Sequence, residues 1–378
     1  MNPEENKMGI KGSSTRQIFF NDVKVPVENL LGRRGEGYRI ALNILHVGRI
    51  KLGATVIGGM RRAINYSVNY ALERKQFGSA LAEFGAIKHK LAEQVIRTFS
   101  TESAVYRASK DVENEIEALK AAGKSYGQAN IGAVAEFEPE CALLKVYGSE
   151  SLDYIVDELV QIYGGMGFSA EAPADRSYRD SRINRIFEGT NEINRLIVAD
   201  AQLKRGLRHK IALMEKAAEL LNDKTSLLPV NPDGKSYYTL HHEYVDQLKK
   251  AIVILYPLLN DTFKKKLVYE EEIMMNVANM SMYLYVLEST LLRVEKLEKK
   301  GLKTEMAVYH DMLDVLLQDV MHIFQRETVE AVSAFLEGEQ KDEMLQVMKN
   351  LTAYKPLNTK EARRRIANKL IEDERYKF

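Results

Sequence analysis

The sequence predicts a mainly α-helical fold, and three observations carry that reading. Apolar residues recur at helical spacing, as in Ala41, Leu45, Leu52, Val56, Met60 and Ala63 and again in Leu144, Leu152, Val156, Leu159 and Tyr163. Strand-like alternation is clearest in "RQIFFNDVKVPV" (16–27), where Ile18, Phe19 and Phe20 lead through Asn21-Asp22 to Val23, Val25 and Val27. Beyond the proline- and glycine-bearing stretch 220–238, the chain turns into long, charged, methionine-rich helical pattern. One short hairpin does not stand alone in water, so 16–27 reads as the end of a sheet whose other strands lie elsewhere.

Taken in order, the pattern is helical from Tyr38 to near Lys75 and again from about Phe84 to Val112. A polar, lysine- and alanine-rich stretch follows to about Phe137. Pro139 opens the next helix, which stops at the glycine-rich break "GGMGF" (164–168). Thr190 or Asn191 caps a helix that runs to about Arg205. Later helices are expected at roughly 239–268, 270–298, 303–336 and 340–350, with a basic helix at the tail. "AIVILYPLL" (251–259) is too short to span a bilayer and reads as bundle core rather than membrane surface. No unbroken run of about 18 apolar residues occurs, so no transmembrane helix is expected.

Several function classes drop out on composition. A formal net charge of +1 gives no basic face for nucleic acid. A single cysteine, Cys141, excludes an internal disulfide and a cysteine metal cluster. It fits a reducing compartment, either a bacterial cytoplasm or a mitochondrial matrix. The seven histidines include no His-x-x-x-His pair, so no metal site is expected. "LGRRGEGYR" (31–39) lacks the Lys-Ser/Thr of a phosphate loop and reads as a turn into a helix.

The stretch that asks for a chemical explanation is "RIFEGTNEINRL" (185–196). Thr190, Glu192 and the apolar Ile193, Leu196 and Ile197 make a capped amphipathic helix. Glu188, between Phe187 and Gly189, gains nothing from that role. Apolar surroundings raise a carboxyl pKa, which suits a general base.

Five motifs in order then give the chain a family likeness: "FFNDVKVPVENLLG", the "GR" at 48–49, "ERKQFG" (73–78), "QIYGGMGF" (161–168) and "RDSRINRIFEGTNEINRL" (179–196). On these, residues 9–205 resemble the acyl-CoA dehydrogenase family. The resemblance implies that 1–34 close the family's middle β domain. It makes 35–205 the C-terminal four-helix bundle with the base, and 206–378 a helical extension like that of the very-long-chain branch, whose members associate with membranes. It also implies that the chain is the C-terminal portion of a longer enzyme or the product of a truncated gene, and that, alone, it binds flavin poorly.

The implied reaction is FAD-dependent α,β-dehydrogenation of a long-chain acyl-CoA. Glu188 is the implied base, and its backbone N–H polarises the thioester carbonyl. A few members carry the base just before the arginine matching Arg49, but Gly48 stands there. Cofactor contacts implied by the likeness are Arg74, Gln76 and Phe77 at the pyrophosphate, and Gln161 and Gly165 near the adenine, both sets reaching a neighbouring subunit. Thr190 and Glu192 flank the flavin on their own subunit, and Arg49, Phe187 and Gly189 line the substrate. His46 replaces the aspartate of the medium-chain pattern, and Asp180 and Arg182 match a structural pair. A homodimer or larger oligomer and an electron-transferring flavoprotein are the implied partners. Two other readings stand beside this one: a non-catalytic helical assembly module, and a flavin oxidase of the same fold.

Overall fold

In the computed structural model, which describes residues 2–301 and 306–378, two helices of 37 residues set the frame. Helix α1 (Gly37–Glu73) buries Leu52, Val56, Met60, Ile64 and Val68 on one stripe. Helix α2 (Gly85–Ala121) buries Leu91, Val95, Phe99 and Val105 against it. Helices α3 (Tyr126–Glu136) and α4 (Glu138–Tyr163) follow, and α4 lies along most of α1. A single helical turn, α5 (Gly165–Phe168), and the short α6 (Pro173–Ser181) lead to α7 (Asn191–Leu207), which packs on α4.

The second set comprises α8 (Leu213–Asn222), α9 (Tyr237–Phe263), α10 (Glu271–Lys299), α11 (Met306–Phe335), α12 (Gly338–Leu351) and α13 (Thr359–Asp373). Helix α10 is shared between the sets, touching α2 and α7 on one side and α9 and α11 on the other. One continuous apolar core therefore runs from Leu52 to Leu370. The residues 251–259 belong to it, with Ala251, Ile254, Leu255 and Leu259 fully buried.

A charged knot fastens the chain's end to its first helices. Glu102 of α2 is fully buried and accepts from Arg61 of α1 at 2.7 Å, Arg293 of α10 at 3.1 Å and the Tyr376 hydroxyl at 3.2 Å. Removing the carboxylate takes this acceptor from Arg293 and from the Tyr376 hydroxyl, which lie largely inside, while Arg61, 46% exposed, can turn to water. Glu102→Ala is therefore expected to lower unfolding stability by about 3 kcal/mol; chemical denaturation monitored by circular dichroism reads the change.

Several sequence expectations need correction. Residues 16–27 form no paired strands; the chain bends at Asn21-Asp22, with Asp22 at φ 48°, and Val27 opens a 3-10 turn (Val27–Asn29), while Ile18, Phe19, Phe20 and the three valines are exposed. Among the described residues the one sheet is a two-residue antiparallel pair, Lys75–Gln76 with Ser79–Ala80. Helix α2 continues nine residues past Val112, and the polar stretch after it holds α3. That helix had a readable start: Ser125 and Gln128 form a reciprocal capping box. The loop at 220–238 is shorter than expected, because α8 and a 3-10 turn (Lys224–Leu227) occupy its first part. The start of the helix expected at 303–336 lies outside the described residues. Finally, α1 is, by length and composition, long and apolar enough to cross a membrane although polar residues interrupt its apolar run, and its apolar stripe is packed against α2 and α4.

Candidate active site

The turn before α7 is built under strain. Glu188 sits at φ 59° and Gly189 at φ 85°, and left-handed backbone at a non-glycine residue is characteristic of functional sites. Side chains from three helices hold it there. The guanidinium of Arg49, on α1, donates to the Glu188 carbonyl at 3.1 Å, and the Lys145 ammonium, on α4, donates to the Gly189 carbonyl at 2.8 Å. Asn194, on α7, donates to the carbonyls of Gly189 and Thr190 at 2.8 and 3.0 Å. Thr190 caps α7 as the sequence predicts, its hydroxyl accepting from the Ile193 N–H at 3.4 Å.

The effect is to fix the carbonyls and leave the other side of the turn free. Among the described residues, the Glu188 backbone N–H has no acceptor. The Glu188 carboxylate lies against α1 where Gly48 leaves room: a Cβ at Gly48 would stand 2.3 Å from Glu188 Oε2. Glycine in a helix interior costs roughly 1 kcal/mol relative to alanine, so the space comes at the expense of stability. Gly48→Ala is accordingly expected to keep or slightly raise the melting temperature while pushing the carboxylate out of its seat. Calorimetry and turnover measured on the same preparation would show the two moving in opposite directions.

Lys145 is the residue that sequence reasoning missed. It is fully buried, donates to Asn191 Oδ1 at 2.6 Å as well as to Gly189, and burial pulls its ammonium down to about 8 against the pull of Glu192 and Glu150. The signal was a lone lysine inside the apolar run "CALLKVYG" (141–148), where no solvated face is available. Asn191 in turn donates to Ser149 at 3.0 Å and to Glu150 at 3.0 Å. Arg195 grips Glu150 through two bonds of 2.8 Å and reaches Asn279 of α10 at 2.7 Å. The second helical set thus buttresses the turn that carries Glu188.

The other predicted residues fall in two places. Arg49 is buried (4% exposed), with its pKa lowered by burial against the pull of Glu138, whereas Phe187 is half-exposed beside Glu188. The Glu192 carboxyl is held below its usual range by its own backbone N–H and by the Thr190 hydroxyl. Arg74, Gln76, Phe77, Gln161 and Gly165 gather instead at the far end of the α1/α4 pair, where Tyr70 stacks on Tyr163 with ring centroids 4.0 Å apart. Among the described residues the Arg74 guanidinium has no partner, and Phe77 is 95% exposed at φ 53°. Gly48 and Arg74 are about 39 Å apart along α1 at 1.5 Å per residue. One small cofactor cannot touch both places within one chain.

Asp180 accepts from the Ile10 N–H at 2.5 Å and Arg179 donates to the Met8 carbonyl at 3.0 Å, tying the leading segment to α6. Arg182 keeps a buried nitrogen without a partner. Cys141 is buried, its thiol pushed up to about 12 by desolvation, which fits packing rather than chemistry. No metal-holding cluster of His, Cys, Asp or Glu occurs among the described residues.

With this geometry in hand, residues 35–203 and 247–350 each match a family described as acyl-CoA dehydrogenase, C-terminal domain. The chain belongs to the acyl-CoA dehydrogenase family. It is 40% identical over 374 residues to a probable acyl-CoA dehydrogenase of Bacillus subtilis, a match covering 99% of this chain and 63% of that protein. It is 42% identical over 195 residues to the very long-chain specific acyl-CoA dehydrogenase of Rattus norvegicus, covering 52% of this chain and 27% of that one. Among solved structures, an acyl-CoA dehydrogenase complexed with FAD from Bacillus anthracis superposes with a TM-score of 0.94 at 40% identity. That superposition covers all of this chain and 64% of the other. The chain therefore spans less than two thirds of these family members' length.

Proposed function

We propose that this chain carries the catalytic base of an FAD-dependent dehydrogenation that converts a fatty acyl-CoA thioester to its trans-2-enoyl product. The observation that carries the reading is the Glu188 turn: a carboxylate seated against Gly48, its carbonyls tied down and its own N–H free. Glu188 takes the α proton as the Cα–Cβ double bond forms. The Glu188 N–H, without an acceptor among the described residues, is free to donate to the thioester oxygen, where negative charge grows in the transition state. Arg49, Phe187 and Gly189 shape the substrate side of the turn.

FAD, when bound, supplies the acceptor for the hydride that leaves the β carbon. Its holders are Thr190 and Glu192 beside the base, and Arg74, Gln76, Phe77, Gln161 and Gly165 at the far end of the bundle. The unpartnered Arg74 guanidinium suits a pyrophosphate, which a planar fork binds through two parallel bonds. The roughly 39 Å between the two groups supports a homodimer in which each cofactor bridges two chains. A long-chain preference, an electron-transferring flavoprotein as acceptor and a reducing compartment complete the reading.

The test is a visible absorbance titration with FAD, followed by anaerobic addition of butyryl-CoA or palmitoyl-CoA. Bound flavin that bleaches with substrate, faster with palmitoyl-CoA, is the expected result. A protein that binds flavin without bleaching with either substrate would overturn it.

A further inference from the structure

The Arg49 anchor has a titratable partner. Arg49 Nη1 lies 3.1 Å from His46 Nδ1, one turn back on α1. A guanidinium only donates, so Nδ1 must be the acceptor, and the neutral ring then carries its proton on Nε2. That nitrogen faces Glu138 Oε1, on α4, at 3.6 Å. Both His46 and Arg49 are buried, at 7% and 4% exposure, so neither can turn to water without moving. The charged and titratable groups around the ring are Arg49 on its own helix, Glu138 and the inert Cys141 thiol on α4, and the Glu188 turn beyond Arg49.

We propose that His46 is a proton-gated positioning residue: neutral, it accepts from Arg49 and keeps that guanidinium on the Glu188 carbonyl; protonated, it turns a hydrogen bond into a cation–cation contact and loosens the Arg49 anchor, leaving the turn to Lys145 and Asn194 alone. The inference rests on Glu188 being the base and adds a control on when the base is in place. Its chemistry is local. A second proton on the ring must go to Nδ1, the one nitrogen that Arg49 occupies. Burial, with Arg49 reinforcing it and Glu138 opposing it, holds the His46 pKa below its ordinary value. The sign follows. The anchor is intact above that depressed value and is lost as pH falls through it, so the turn is locked at neutral pH and loosens in acid.

Two readouts test this. In the full chain labelled with 15N-histidine, the His46 ring should show the Nε2–H tautomer at pH 7 and take up a proton only below pH about 6.5, the ordinary histidine value. An Nδ1–H tautomer, or a ring already protonated at pH 7, would overturn the proposal without reference to catalysis. His46→Asn keeps an acceptor for Arg49 but cannot titrate, so in the FAD-loaded enzyme the acid-side fall of log kcat/KM should be one proton shallower in that variant than in the native protein. An unchanged slope in that variant would sink the gating role. Absence of any dehydrogenation, with the tautomer as predicted, would count against the catalytic reading alone.

Discussion

Glu188→Gln is expected to abolish α-proton removal while leaving the fold and flavin binding in place. Glutamine keeps the size of the side chain and the left-handed backbone, so Arg49, Lys145 and Asn194 retain their bonds to the turn. What it loses is basicity. Positioned general bases contribute about 10²- to 10⁴-fold. A primary amide is a far poorer base than a carboxylate, so the loss should sit at the upper end. Stopped-flow bleaching of the bound flavin after mixing with acyl-CoA should slow by about 10⁴-fold. A loss of only a few-fold would mean that another group takes the proton.

Lys145→Met is expected to damage stability and catalysis together. Methionine fills a similar volume, but it removes the charged donor from the Gly189 carbonyl, which keeps Asn194, and from Asn191 Oδ1, which keeps Ser149 at 3.3 Å. A hydrogen bond to a charged group is worth about 1.5–3 kcal/mol, so the variant should lose a few kcal/mol in denaturant titrations. Release of the Glu188 turn by about 1 Å would cost catalysis on the order of 10²-fold. The linkage also has a readable sign. The ammonium is pulled down to about 8 from an ordinary value of 10.5, so between those pH values the unfolded chain holds more protons than the folded one. Stability should therefore rise with pH across that window in the native protein, as the cost of burying the charge is relieved. The rise should be absent from Lys145→Met when the two are compared side by side.

How much of this was legible depends on the range of the interaction. The long helices were readable because their apolar stripes repeat every turn, and Thr190 was readable as a cap because capping is local. Glu188 drew notice because a carboxylate between Phe187 and Gly189 has no helical job. Gly48 could be ruled out as a base by its chemistry. Its real role, making room for a carboxylate 140 residues away, depends on the packing of α1 against the turn. Lys145 and Glu102 were missed for the same reason. A buried charge is tolerable only with partners, and those come from far along the chain: the Gly189–Asn191 turn for Lys145, and α1, α10 and the chain's last residues for Glu102. The strand pattern at 16–27 was real as a pattern, but a strand needs a continuous ladder, and among the described residues its one backbone bond to another segment is from the Asn2 N–H to the Gln17 carbonyl. The contribution of α10 to the site, through Asn279 and Arg195, had no sequence signal at all.

The central claim is that Glu188 removes the α proton. The most direct measurement is the loss of deuterium from an α-deuterated acyl-CoA into water, followed by mass spectrometry, with the FAD-loaded protein and its Glu188→Gln variant side by side. The account predicts exchange in the native protein and exchange slower by about 10³-fold or more in the variant. Equal exchange in the two would contradict it, and the search for the base would have to begin again.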